Sequence, residues 1–379
     1  MDLQAYINHN PDYLTKFKQS NLVVNRKSPY VIVKYRYTDP PLTTDPEWCW
    51  KRYCRGAIIN AETNRVVCLP PVKAEEISLE DALIKEKEKD IGGSNVTYSP
   101  LIDGTMINLF WDTSKEQWMI CTRSEMGGYN KWLPDSSGTR QSFREMFTQC
   151  MDGSLESLAK DCSYSLVMRH MDNRNVSPIK RNEVWLVEVY RYREGNMERL
   201  SVDDYPPNDI FQTIDVSDQP LPGFHPDAPP PSYASKGMTI KTKYGRYKYI
   251  NPEFKRVKEL RDLANSNNPY LNFLQLRISG KMKDYLRYFP EHVLLFNEYR
   301  DDLHNLTNEL YNSYKNVHIY KKEDTKEIPY HLKPFVYELH GIYLQSGRSE
   351  ATTWNTVKDF VYNLPPKRLM YSINFMKKK

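Results

Sequence analysis

Runs of β-branched and aromatic residues, paired across short polar turns, are the feature of this sequence that most constrains its fold. The run YVIVKYRY begins at Tyr30, and the runs AIIN and VVCLP flank the polar turn ETNR. Two further pairs follow, TMINLFWD with QWMICTRS and YSLVMRH with EVWLVEVYRY. Such runs are typical of strands, and short turns between them predict β-hairpins. Together with a helix predicted at residues 142–150, they indicate an α+β domain built on antiparallel sheet.

The pattern changes near Pro252, where helical periodicity replaces strand patterning. In the segment HVLLFNEYRDDLHNLTNELY the apolar residues mostly follow the three-and-four spacing of a helix face. They are Val293, Leu294, Phe296, Leu303, Leu306 and Leu310. We therefore predict one domain at residues 1–255 and an all-helical C-terminal domain at residues 256–379.

A proline-rich segment lies at about residues 205–233, inside the predicted first domain. Proline lacks a backbone donor and fixes φ, so this segment cannot continue a helix or a central strand. A long surface loop, an ordered lid and an ordinary linker all fit its composition.

Composition excludes several classes of protein. The 379 residues carry a formal net charge of +5, which is compatible with RNA, DNA or another polyanion but lower than in a dedicated basic binder. The six cysteines form no Cys-x-x-Cys pair, so we expect reduced thiols and neither a zinc site nor a disulfide framework. The N-terminus is polar and no apolar run reaches about 18 residues, so we expect a soluble intracellular protein without a membrane span.

Six short segments occur in a fixed order along the predicted first domain. In chain order they are RYCRGAII with Arg55, PLIDGT with Asp103 and Gly104, CTRS with Arg123, YSLVMRH, SKGMTIKT, and GRYKYI with Arg246 and Lys248. Alone, an Asp-Gly pair indicates only a turn. The order of the six segments is more informative than any one of them.

In this order the segments resemble the RNA ligases of the phage and large-DNA-virus type, which belong to the covalent nucleotidyltransferase superfamily. The motifs of that family run Arg-Gly, K-x-D-G, T-R-G/S, a Glu-bearing strand, E-G-x-V and K-x-K, and the resemblance covers roughly residues 30–260. It implies an antiparallel-sheet nucleotidyltransferase domain of the ATP-grasp-like ligase type, followed by a helical domain. In such ligases the lysine of K-x-D-G attacks the α-phosphate of ATP, and carboxylates hold the metal ions.

Three positions depart from the family pattern. Leu101 stands at the place of the nucleophilic lysine, and leucine has no lone pair. Met168 and Arg169 lie where a strand glutamate is expected, and Lys236 replaces the glutamate of E-G-x-V, which binds metal or ribose in the family. A lysine repels a divalent cation. These three departures therefore predict a chain with no catalytic residue, no metal site and no cofactor.

Positions that contact nucleotide or phosphate in the family match the family pattern more closely than these three positions do. The candidates are Arg55, Lys73, Asp103, Gly104, Arg123, Lys241, Lys243, Arg246 and Lys248. The last four lie on a basic strand segment interleaved with Tyr244, Tyr247 and Tyr249, an arrangement that suits a surface tracking phosphates and stacking bases. A solvated strand face explains the same pattern.

We therefore expect a catalytically inactive RNA-ligase-like protein that acts as a binding or structural subunit, in a large-DNA-virus particle, a viral factory or a nucleic-acid-associated complex. Protein partners are expected because 28 tyrosines offer amphipathic contact area, and RNA or DNA contact is also expected. The alternative is an active ATP-dependent RNA ligase with displaced catalytic groups, using ATP and Mg²⁺. Its nucleophile would be Lys241, Lys243 or Lys131.

Overall fold

The computed structural model describes residues 2–36, 44–82, 96–131, 141–151, 155–193, 195–200, 210–224, 229, 231–242, 245–263 and 268–376. The chain divides into two compact units, Met1–Arg256 and Val257–Lys379. The candidate site residue Lys243 and part of the proline-rich segment (residues 205–209, 225–228 and 230) lie outside the described residues.

The first unit contains three sheets among its described residues. The first sheet is antiparallel, and its strands follow chain order. They are β1 (Leu22–Lys27), β2 (Tyr30–Tyr35), β3 (Arg55–Asn60) and β4 (Arg65–Cys68). Helices α1 (Leu3–His9), α2 (Tyr13–Gln19) and α3 (Trp48–Lys51) pack on it through aromatic side chains, with the rings of Tyr6 and Trp50 stacked 4.1 Å apart. The predicted hairpin between AIIN and VVCLP is confirmed as β3 and β4.

The second and third sheets pair some strands that are neighbours in the sequence and others that are far apart in it. The third sheet contains strands β5 (Glu75–Glu76), β13 (Arg246–Ile250), β12 (Gly237–Lys241) and β6 (Thr97–Pro100), in that order. The second sheet contains β11 (Asn196–Leu200), β10 (Glu183–Arg193), β9 (Cys162–Arg169), β7 (Thr105–Asp112) and β8 (Gln117–Cys121), in that order. The predicted pairs β7–β8 and β9–β10 are confirmed, and only β13–β5 is parallel among the described strand pairs. Helix α4 (Phe143–Cys150) begins with a reciprocal cap between Ser142 and Glu145 and packs on the second sheet.

The second unit is helical in its described residues, as the sequence predicts. Its helices are the end of α5 (Pro252–Arg261), then α6 (Pro269–Ile278), α7 (Met282–Tyr288), α8 (Val293–Tyr314), α9 (Lys333–Gln345), α10 (Trp354–Asn363) and α11 (Pro366–Met376). Short 3₁₀ and π turns lie before and after α8. Among the described residues, none of the helices has the length and apolar composition needed to cross a membrane.

The prediction of the apolar face of α8 is partly wrong, because two of its residues are exposed. Val293 and Leu294 are 39% and 75% exposed, whereas the buried positions begin at Phe296 and continue through Tyr299 and Leu303. Leu294 lies two residues before Phe296, and two helical steps turn about 200°. It therefore points away from the buried face.

Candidate functional site

A cavity of about 540 Å³ lies in the first unit, at the ends of strands from all three sheets. Seven cationic side chains line it, and no Asp or Glu occurs among the described residues of the lining. The cations are Arg55, Lys73, Arg123, Lys236, Lys241, Arg246 and Lys248. Gly104 and Leu101 also belong to the lining. The structure thus brings most of the described candidate residues around one space.

The Arg-Gly and Thr-Arg-Ser segments meet at one side of the cavity. The Arg123 guanidinium lies 4.8 Å from the ring centroid of Tyr35, at the end of β2. Gly56 has φ +108°, and a Cβ at this position would lie 2.8 Å from the Arg123 carbonyl oxygen. Glycine therefore permits the close approach that brings Arg55 and Arg123 to the same cavity.

Asp103 is held beside the cavity by its own neighbours. Its Oδ2 atom accepts hydrogen bonds from the backbone N–H groups of Val176 (2.9 Å) and Ser177 (3.0 Å). Its Oδ1 atom lies 3.2 Å from the Lys236 ammonium. The Leu101 N–H donates to the Gly237 carbonyl oxygen at 2.9 Å, which joins the two segments across β6 and β12. The Asp103 carboxylate is therefore already neutralised by this chain.

Glu188 on β10 carries a buried carboxylate that faces Lys241 of the cavity lining and Arg199. Its side chain is 2% exposed, and Oε1 lies 3.6 Å from Lys241 Nζ and 3.7 Å from Arg199 Nη1. The Tyr190 hydroxyl donates to Oε2 at 3.3 Å. Sequence reasoning missed Glu188, although an acidic residue inside the strand EVWLVEVYRY is a readable signal, because buried acids in strands need charged partners.

Lys241 and Arg246 are partly buried members of the cationic lining. Burial lowers the pKa of both side chains, and the nearby Glu188 carboxylate opposes that shift. The Nε and Nη1 atoms of Arg246 are buried and have no hydrogen-bond partner among the described residues. Since buried guanidinium N–H groups are costly to leave unbonded, Arg246 presents donors suited to an anion in the cavity.

Lys73 and Lys248 lie at another side of the cavity. Lys248 Nζ is 3.0 Å from Glu76, which follows from the parallel pairing of β5 and β13. Burial lowers the pKa of Lys73, the nearby Glu75 carboxylate opposes that shift, and the positive charges of Lys248 and Arg55 add to it. The close spacing of like charges costs free energy that an anionic ligand would offset.

Apolar side chains line the remainder of the cavity. They include Leu101, Met106, Val167, Val187, Ile214 and Val216. Ile214 and Val216 come from the proline-rich segment, whose backbone at Ser217 exchanges hydrogen bonds of 2.7 and 2.8 Å with Tyr98. At Ser217 the segment therefore pairs with β6. Sequence reasoning did not assign Ile214 or Val216 to the site.

The described residues that line the cavity include no Asp or Glu, the side chains that most often hold Mg²⁺ in proteins. Within the described part of the chain, no three His, Cys, Asp or Glu side chains come together in a way that could hold a metal ion. Of the lysines named as displaced nucleophiles, Lys241 lines the cavity and Lys131 is not among its lining residues.

Comparison with known proteins gives only distant structural similarity. No family model matches the chain, and no curated protein sequence matches it. A protein from Aquifex aeolicus assigned as an ATP-dependent DNA ligase is similar at 12% identity, with a TM-score of 0.39 over 82% of this chain and 77% of that chain. An archaeal ATP-dependent RNA ligase is similar at 10% identity, with a TM-score of 0.41 over 77% of this chain and 79% of that chain. Both TM-scores are below 0.5, so the function has to be inferred from the residues of the cavity.

Proposed function

We propose that this chain is a catalytically inactive, RNA-ligase-like binding protein whose cavity takes a phosphate-bearing ligand, a nucleotide or the end of a nucleic acid. The observation that carries the proposal is a cavity lined by seven cations and by Leu101. By its place in the motif order, Leu101 stands where related ligases carry the nucleophilic lysine. The cations attract phosphate, and leucine cannot form a covalent adduct with it.

The amphipathic lining supports a nucleotide rather than free phosphate. The apolar surface of Met106, Val167 and Ile214 can cover a base, while Arg246 and its neighbours can bind phosphate oxygens. Protein partners and a viral or nucleic-acid-associated assembly remain part of the proposal, as the resemblance suggests. In such an assembly the protein would act as a binding or structural subunit.

One observation favours the alternative of an active nucleotidyltransferase. Lys241 lines the cavity, and its burial lowers the pKa of the ammonium, which is how proteins prepare a lysine for nucleophilic attack. Glu188 acts in the opposite direction, because its carboxylate stabilises the charged form of Lys241. The charged form is not nucleophilic.

Adenylylation separates the two candidates. The purified chain is incubated with α-labelled ATP and Mg²⁺ or Mn²⁺, and protein-bound label is measured after acid precipitation. We expect no label in the parent chain or in Lys241→Arg. A stoichiometric adduct in the parent that disappears in Lys241→Arg would establish the active alternative.

A binding measurement tests whether the cavity takes a phosphate-bearing ligand. A 5′-phosphorylated single-stranded RNA is titrated against the parent, the double variant Arg246→Ala/Lys248→Ala, and the control Lys255→Ala/Arg256→Ala on α5. We expect the cavity variant to bind more weakly and to lose roughly 1 to 2 units of the slope of log affinity against log salt. The control pair is not among the described cavity lining, and its slope should change less. Equal effects from both pairs, or no binding in the parent at low salt, would argue against a phosphate site in this cavity.

A further inference from the structure

We propose that the cavity binds the phosphate groups of its ligand with cationic side chains alone, so that a divalent metal ion is not required and weakens binding. This inference rests on the proposed function, since it assumes that a phosphate-bearing ligand enters the cavity. It concerns the metal dependence of that site, on which the family resemblance and the chain's own residues disagree.

Three carboxylates near the cavity each face a cation of this chain. Asp103 accepts two backbone N–H bonds and contacts Lys236, Glu188 faces Lys241 and Arg199, and Glu76 contacts Lys248. Mg²⁺ needs oxygen ligands in near-octahedral geometry, and it gives up its bound water molecules reluctantly. A metal ion would have to displace an ammonium from one of these carboxylates before it could bind.

Lys236 is the residue that most directly excludes a metal ion. Its ammonium lies 3.2 Å from Asp103 Oδ1 and 5.8 Å from the ring centroid of Phe254. The side chain is 25% exposed, so solvent screens its charge only in part. A cation that approached Asp103 from the cavity would meet this fixed positive charge.

The charge balance of the cavity also favours a metal-free anion. Seven cations line the cavity, with no acidic residue among the described lining, and only three of them, Lys236, Lys241 and Lys248, face one of the carboxylates named above. Two nitrogen atoms of Arg246 are also buried without a described hydrogen-bond partner. A polyphosphate supplies both the negative charge and the acceptor oxygens that these groups lack. Magnesium bound to the polyphosphate would cancel part of its charge and occupy some of the same oxygens.

The test uses the full chain and inorganic tripolyphosphate. Affinity is measured by calorimetry in excess EDTA and again in excess Mg²⁺ at matched ionic strength. We expect binding in EDTA and at least a several-fold loss of affinity in Mg²⁺. Binding that requires Mg²⁺, or that Mg²⁺ strengthens, would overturn the inference while leaving the proposed phosphate site intact. Absence of binding in both buffers would overturn the proposed function as well.

Variants at Lys236 then test whether this residue causes the loss of affinity in Mg²⁺. Lys236→Glu places a second carboxylate beside Asp103, whereas Lys236→Met removes the charge without adding an oxygen ligand. In EDTA both should bind tripolyphosphate more weakly, by about tenfold, and thermal melting confirms that each is folded. Mg²⁺ should strengthen binding only in Lys236→Glu. If Mg²⁺ weakens binding to Lys236→Glu as much as to the parent, Lys236 is not the group that excludes the metal ion.

Discussion

Lys241 shows how one buried residue couples the cavity to pH. Burial lowers its pKa below the ordinary lysine value of 10.5, although Glu188 acts in the opposite direction. Between the lowered pKa and 10.5, the unfolded chain holds a proton that the folded chain has released. Raising the pH through this window therefore increases the contribution of Lys241 to the free energy of unfolding. It also removes the positive charge that attracts phosphate.

We accordingly predict that tripolyphosphate affinity falls as the pH rises through the window between the lowered pKa of Lys241 and 10.5, and that binding within this window takes up protons. Calorimetry in buffers of different ionisation enthalpy measures the protons directly. Lys241→Arg, whose guanidinium stays charged, should reduce the proton uptake. Lys73 also has a lowered pKa, so part of the effect should remain in that variant. Affinity that is independent of pH in the parent would contradict the prediction.

At the scale of elements, strand patterning predicted the local hairpins but not the distant pairings. The runs TMINLFWD and QWMICTRS became β7 and β8, because alternation and a short turn act within a few residues. The pairing of β12 with β6 joins segments more than a hundred residues apart, and no local pattern encodes it. Strand β1 (Leu22–Lys27) was not predicted either, since its sequence LVVNRK is half polar and its final residues are exposed.

Gly237 fixes how β12 begins beside the cavity. Its φ is +145°, and an added Cβ would overlap the carbonyl oxygen of Tyr249 on β13. We predict that Gly237→Ala lowers the free energy of unfolding by roughly 3 kcal/mol, from backbone strain and the clash together. Chemical denaturation with fluorescence detection measures the change.

The matched control is Gly341→Ala, inside α9, where an added Cβ meets nothing within 4 Å. Alanine has the higher helix propensity, so this change should raise the free energy of unfolding by about 0.5 to 1 kcal/mol. The same substitution is thus expected to have opposite signs at the two glycines. A loss at Gly237 no larger than about 0.5 kcal/mol would mean that β12 and β13 can separate at little cost.

At the scale of the whole molecule, the motif order predicted which cations share a cavity but not how they are neutralised. Arg55, Arg123 and Arg246 come from separate segments, and their convergence follows from the resemblance rather than from local pattern. The pairing of Lys236 with Asp103 and the burial of Glu188 are tertiary contacts. Our inference that the site excludes metal depends on these contacts, and the motif order does not contain them.

The division into two units leads to a prediction about independent folding. The second unit has its own buried residues, including Leu303, Val336 and Val357, all fully buried. A fragment of residues 251–379 keeps α5 intact, and we predict that it is helical by circular dichroism and unfolds in one cooperative transition.

A shorter fragment of residues 293–379 is the control for that prediction. It lacks α5, α6 and α7, and the Tyr270 and Phe273 rings of α6 lie 4.0 Å from Tyr299 and 5.3 Å from Phe296 respectively. Removing these helices exposes two aromatic side chains of α8, and the hydrophobic free energy lost is on the order of 3 to 5 kcal/mol, a large part of the stability of a unit this size. We expect the shorter fragment to lose its cooperative transition. Cooperative unfolding in the shorter fragment would show that the core of α8, α9 and α10 suffices, whereas a non-cooperative transition in the longer one would mean that the helical unit depends on the rest of the chain.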